Sequence, residues 1–216
     1  MRGTTTIRRA FALSLAGIMV TGLTACTGSP DAGGDFAAQR ETVTAFMSAL
    51  ERGDAQQAAT YLSDTTSFPR GALTDDFYAK AVARPTAATI TVATEIDGKV
   101  AVQLDFRLGD DDRELDLMLD RSTPPRIEQW SGMPTILRSA DGAGRLEISQ
   151  ALTIDVDTQS TSAALLPARY RMAFTGTSNT ENVDAFELDF PVTPDAADTQ
   201  LPDGVGFAGG ALAFGD

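Results

Sequence analysis

Residues 42–64 read TVTAFMSALERGDAQQAATYLSD. The fold turns on one tripeptide inside this stretch. Arg52-Gly53-Asp54 is either a recognition signal of the kind adhesion proteins present to integrins, or the stop of one helix and the start of the next. Phe36, Val43, Phe46, Met47 and Leu50 recur at helical spacing, which predicts an amphipathic helix over 36–52. Gly53 then stands where a helix-ending glycine belongs, with Arg52 in the last turn. Asp54 suits an N-cap, and Gln57 three residues on completes a capping-box pattern for a second helix over 55–62. Each residue of the tripeptide therefore has a local role, and punctuation is the favoured reading. A third helix is expected over about 74–83, with Asp75 and Asp76 in its first turn and Arg84-Pro85 ending it.

The period then changes. Ile90, Val92 and Ile96 alternate with polar residues up to Asp97-Gly98, a strong two-residue hairpin signal. Val100, Val102, Leu104, Phe106 and Leu108 alternate on the return. Gly109–Asp112 marks another turn, Leu115, Leu117 and Leu119 a third strand, and Ile127–Trp130 with Ile136 and Leu137 a fourth. Helices followed by an antiparallel meander imply an α+β unit, with helices packed on a curved antiparallel sheet.

These residues carry a resemblance. The stretch 42–64, with Ala-Phe-x-x-Ala-Leu, then Gly-Asp, then Ala-Ala-x-x-Leu, together with the meander ending near Trp130, resembles the nuclear-transport-factor-2-like superfamily over residues 36–137. The resemblance implies a cone-like pocket between sheet and helices, where enzymes of that superfamily place Asp and His side chains. This chain has no histidine. Tyr61, Phe77 and Trp130 are the candidate pocket-lining residues of such a cone; the same three could fill its core, and core is the favoured reading.

Residues 138–195 read as a second, β-rich domain. Leu146, Ile148, Leu152, Ile154 and Val156 outline two strands; Tyr170, Met172 and Phe174 outline another, and Phe186, Leu188, Phe190 and Val192 a further one. A small all-β sandwich-like domain is expected. Leu166-Pro167-Ala168-Arg169-Tyr170 resembles the Leu-Pro-Gly-x-Tyr corner of small surface β-sandwich modules, with Ala168 in the glycine's place. Residues 196–216 are rich in Gly, Ala, Asp and Pro and are expected to form a loosely ordered tail.

The opening segment, MRGTTTIRRAFALSLAGIMVTGLTAC, has a basic start at Arg2, Arg8 and Arg9 and an apolar run from Ala10 to Val20. That run is shorter than the roughly 20 residues a spanning helix needs and fits the apolar region of a secretory signal. It closes in Leu23, Thr24, Ala25 and Cys26, which resembles the lipobox of bacterial lipoproteins at all four places. The resemblance implies a signal peptide over 1–25, cleavage before Cys26 and a lipid anchor on its sulfur. Arg8-Arg9-Ala10-Phe11 also partly resembles a twin-arginine export signal. Residues 26–35, CTGSPDAGGD, would form a flexible tether.

Composition narrows the chemistry. The chain has 216 residues, a formal net charge of −13, no histidine and one cysteine. The acidic balance opposes nucleic-acid partners and attraction to anionic headgroups. Lacking histidine removes the commonest general base and metal ligand, and a lone cysteine excludes an intramolecular disulfide and a thiolate zinc cluster. No catalytic, metal or cofactor-binding residue is assigned. The acid run Asp110-Asp111-Asp112-Arg113-Glu114 lacks the ligand spacing of a calcium loop and is read as a solvated turn. The expectation is a non-enzymatic lipoprotein, anchored on the extracytoplasmic face of the cell membrane and binding or scaffolding a protein or cell-wall partner. The alternatives are a carboxylate-dependent hydrolase or isomerase using the cone pocket, and an accessory subunit of cell-wall or transport machinery.

Overall fold

The computed structural model describes residues 36–139, 142–177, 182–191, 201–208 and 211–214. The segments expected to be signal peptide, lipobox and tether therefore lie outside the described residues. Helix α1 (Ala37–Arg52) turns its apolar side, with Val43, Phe46, Met47 and Leu50, into the core. It ends in a six-residue closing motif: Gly53 N–H donates to the Leu50 carbonyl (3.0 Å) and Asp54 N–H to that of Ala49 (2.9 Å). Gly53 has φ 81°, a conformation glycine adopts without a steric penalty. Asp54 then caps α2 (Ala55–Ala59), its carboxylate accepting the Gln57 N–H at 2.9 Å. Helix α3 (Asp75–Tyr78) starts with Thr74 accepting the Phe77 N–H. It is shorter than expected, because Val82 and Ala83 leave the helix to bridge Arg169 through their backbones.

The first sheet is the expected meander, β1 (Pro85–Ile96), β2 (Lys99–Leu108), β3 (Asp111–Leu119) and β4 (Ile127–Trp130), in that spatial order and antiparallel throughout. Asp97 and Gly98 both have positive φ, as a tight hairpin between right-twisted strands requires. One face of the pair is buried at Val100, Val102, Leu104, Phe106 and Leu108 of β2 and at Leu115, Leu117 and Leu119 of β3, and the opposite face is largely exposed.

Two further four-stranded sheets follow. In the second the order is β10 (Val183–Phe190), β9 (Ala168–Gly176), β6 (Gly144–Ile148), β7 (Leu152–Val156). In the third it is β11 (Val205–Ala208), β12 (Ala211–Phe214), β5 (Thr135–Ser139), β8 (Thr161–Ala163). Phe174 of the second sheet stacks on Phe214 of the third at 5.1 Å. The described chain is thus mostly strand, with three helices.

Three details depart from expectation. Ile136 and Leu137 do not extend β4; they lie in β5, so the boundary expected at 137 falls inside a strand of the third sheet. The tail expected to be loosely ordered contributes β11 and β12, and β12 pairs in parallel with β5. Its pattern is short and hidden among glycines, yet Leu212 and Phe214 are fully buried. Finally, residues from α1 to β12 share one hydrophobic cluster, and Ala32–Asp216 forms one compact unit.

The corner at 166–170 works without a glycine. Ala168 is not in a left-handed conformation; it is a buried strand residue, and the Tyr170 hydroxyl donates back to the Leu166 carbonyl at 2.9 Å. The Tyr78 hydroxyl from α3 reaches the Pro167 carbonyl at 2.8 Å, and Phe77 stacks on Tyr170 at 5.5 Å. Burial pushes both phenols above their ordinary range, so both remain neutral donors.

Candidate functional site

A groove opens where α1 crosses β1. The helix contributes Val43, Thr44, Met47, Ser48 and Glu51, one face over two turns. The strand side is made by Pro85, Thr86, Ala88 and Ile90, with Leu104 of β2 beneath. The strand stands away from the helix there for a local reason. Pairing jumps from Thr86↔Arg107 to Thr89↔Asp105, so β1 holds one residue too many, and Ala87 takes φ 53°. A second extra residue falls between Ile90 and Val92. Such bulges bend a strand and increase its local twist.

The groove encloses about 140 Å³, against the roughly 300–1,000 Å³ of sites that engulf a drug-sized ligand. It suits one side chain or a short aliphatic fragment. Its walls are Val43, Met47, Ile90 and Leu104. Of its polar groups, the Thr44 hydroxyl donates to the Arg40 carbonyl at 2.8 Å and the Ser48 hydroxyl accepts from Arg52 at 2.9 Å. Glu51 is the one ionisable lining residue. Glycoside hydrolysis needs two carboxyl groups flanking the bond to be cut, and the groove supplies one.

Tyr61, Phe77 and Trp130 do not line this groove. Trp130 is buried against Phe46 at 6.0 Å and Phe68 at 6.1 Å. Phe77 is committed to Tyr170. Tyr61 is half-buried at the end of α2, its hydroxyl accepting from Gln57. The three serve separate contacts, and none of them lines this groove.

The tripeptide at 52–54 is equally occupied. Arg52 holds Ser48, the Asp54 carboxylate caps α2, and the Arg84 guanidinium lies over Gly53, so close that an added Cβ would fall 2.5 Å from its Nη1.

A second polar assembly was not legible in the sequence. Arg169 of β9 donates from Nε to Asp189 of β10 at 2.5 Å and from Nη2 to Asp111 of β3 at 2.6 Å. Arg113 of β3 donates to the same Asp189 from Nε at 3.0 Å and Nη2 at 2.7 Å. Two arginines and two aspartates from three strands thus alternate across the junction of the first and second sheets. Hydrogen bonding from Arg169, aided by the charge of Arg113, holds the Asp111 carboxyl below its ordinary range, and the hydrogen bonds to Asp189 and then Asp111 push the Arg169 guanidinium up. Asp111 is therefore no free turn acid. These partners are far apart in sequence; the available hint was the alternation of Arg169 between buried Ala168 and Tyr170. Among the described residues no group of three or more acidic, Cys or His side chains is arranged to hold a metal ion.

Leu23, Thr24, Ala25 and Cys26 lie outside the described residues. No helix among the described residues is long and apolar enough to cross a membrane. Comparisons of the chain with protein-family models, with curated proteins and with solved structures found no match.

Proposed function

We propose that the chain is a lipid-anchored extracytoplasmic lipoprotein that acts as a binding or scaffolding module, without catalysis, at the outer face of the cytoplasmic membrane. In this reading α1–α3 and the first sheet form a cone of the nuclear-transport-factor-2-like kind, and the α1–β1 groove is what remains of its mouth. The observation that carries the binding role is the groove's make-up: aliphatic walls, the Thr44 and Ser48 hydroxyls already engaged, and a single carboxylate. Such a lining gives up apolar surface to a ligand, at about 25 cal/mol per Å² removed from water, and offers no second acid or base to move a proton. The anchoring half rests on the order of basic start, apolar run and Leu-Thr-Ala-Cys in the sequence.

The test has two arms. Filling the groove by Ser48→Trp should abolish capture of the partner recovered by crosslinking intact cells, with melting temperature unchanged. Cys26→Ser should release the protein from the membrane fraction. A groove variant that captures the same partner at wild-type yield refutes the binding role. Wild-type protein in the aqueous phase of a detergent partition refutes the anchor.

A further inference from the structure

The two edges of the first sheet are not alike. At the β4 edge, Ile127 is bridged by the chain at Leu62: its N–H donates to the Tyr61 carbonyl (2.8 Å) and its carbonyl accepts from Ser63 N–H (2.8 Å). At the other edge β1 runs for twelve residues, and among the described residues no strand pairs with its outer side. Proteins blunt such edges with charge, proline or bulges. Here both bulges lie before Val92, and from Val92 to Ile96 pairing with β2 is regular. That stretch, Val-Ala-Thr-Glu-Ile, carries one charge in a chain whose net charge is −13. Val92 and Ile96 are each 47% exposed, and the alternation of side chains puts them with Thr94 on the solvent-facing side of the sheet.

We propose that this edge is the docking site for the same strand of a second copy of the chain, joined antiparallel about a two-fold axis at Thr94 into a continuous eight-stranded sheet. The occupant follows from self-complementarity. With Thr94 opposite its counterpart, Val92 of each copy lies opposite Ile96 of the other, so the two exposed β-branched side chains cover one another twice. Cross-strand aliphatic contacts of this kind are the stabilising unit of a sheet. Glu95 lies opposite Ala93 of the other copy, not opposite another acid, and is held by Arg121 at 3.1 Å. A two-fold interface needs a surface that complements itself, and this segment does so in composition, charge and length. Five paired residues bury less than the roughly 1,600 Å² of a standard interface, so the association is weak and depends on concentration.

The experiment uses the purified full chain in neutral detergent. Sedimentation from micromolar to millimolar concentration should show a monomer–dimer equilibrium. Replacing both exposed aliphatics, Val92→Lys with Ile96→Lys, should remove the dimer and leave the melting temperature unchanged; Ile136→Lys, exposed on the third sheet, should leave the dimer intact. In a Cys26→Ser background, Thr94→Cys should form an intermolecular disulfide an order of magnitude faster than Ser162→Cys on the edge strand β8, because directly opposed strand positions fall within disulfide reach. A monomer at every concentration overturns the proposal. So does a dimer that survives the double lysine substitution, or one that crosslinks no faster through Thr94→Cys than through Ser162→Cys.

Discussion

Gly144 lies in β6 between β7 and β9, paired with Val156 on one side and Gly176 on the other. Its backbone is not left-handed, so alanine fits its φ and ψ. On local grounds Gly144→Ala should stabilise the protein by about 0.4–1 kcal/mol, through lost freedom of the unfolded chain. The structure reverses that sign. The far end of the Phe174 ring reaches over Gly144, and an added Cβ would stand 2.1 Å from Cζ and 2.5 Å from Cε2. The backbone cannot yield, being held in ladders on both sides. The ring has to turn out of its place against Phe214. Overfilling a core costs about 1–3 kcal/mol, and the lost stacking adds about 0.5–1.5 kcal/mol. Gly144→Ala should therefore destabilise by roughly 2–4 kcal/mol. Phe174→Leu alone should cost about 1–2 kcal/mol. In the double variant the alanine has room, so the two effects should fall short of additivity by about 1–3 kcal/mol. Urea unfolding of the four proteins measures this, with the denaturant slope unchanged. A neutral or stabilising Gly144→Ala, or strict additivity, would refute the argument.

The remaining expectations are shorter. Gly53→Ala should cost about 1 kcal/mol through its left-handed φ, and Arg84 should be displaced; thermal melting and a crystal structure check the two. Tyr170→Phe leaves the buried Leu166 carbonyl without its donor and should cost about 1–3 kcal/mol in urea unfolding. Asp111 has a folded-state pKa held below its unfolded value. Its contribution is thus fully present above about pH 3.9 and is lost as pH falls through the lower folded value; Asp111→Asn should flatten the stability profile across that window in acid titration followed by circular dichroism. Cys26→Ser should abolish fatty-acid labelling of the chain, and an unlabelled wild type would end the lipoprotein reading.

What could be read in advance was local. The stop at Gly53, the start at Asp54 and the turn at Asp97-Gly98 are each written in adjacent residues whose backbone needs are specific, and each forms as its residues require. The Tyr170 corner was also legible, because its hydrogen bond spans four residues. What could not be read depends on distant partners. Helix α3 stops early because Arg169, far along the chain, takes Val82 and Ala83 into a bridge. The bulges that open the groove are invisible in an alternating Thr-rich strand, since an extra residue shows only against the register of β2. Tyr61, Phe77 and Trp130 are aromatic and well spaced, but spacing does not tell a wall from a core.

The position of β12 has a consequence for how the chain becomes itself. This strand is made after every other described element, yet it is not an outer piece; it lies between β11 and β5, and its Phe214 supports Phe174 in the neighbouring sheet. A chain interrupted anywhere before residue 211 leaves β5 with an open edge and Phe174 with an uncovered ring. The fold thus withholds its closure until residues 211–214 have been made, and a copy lacking them exposes apolar surface that a complete fold keeps buried.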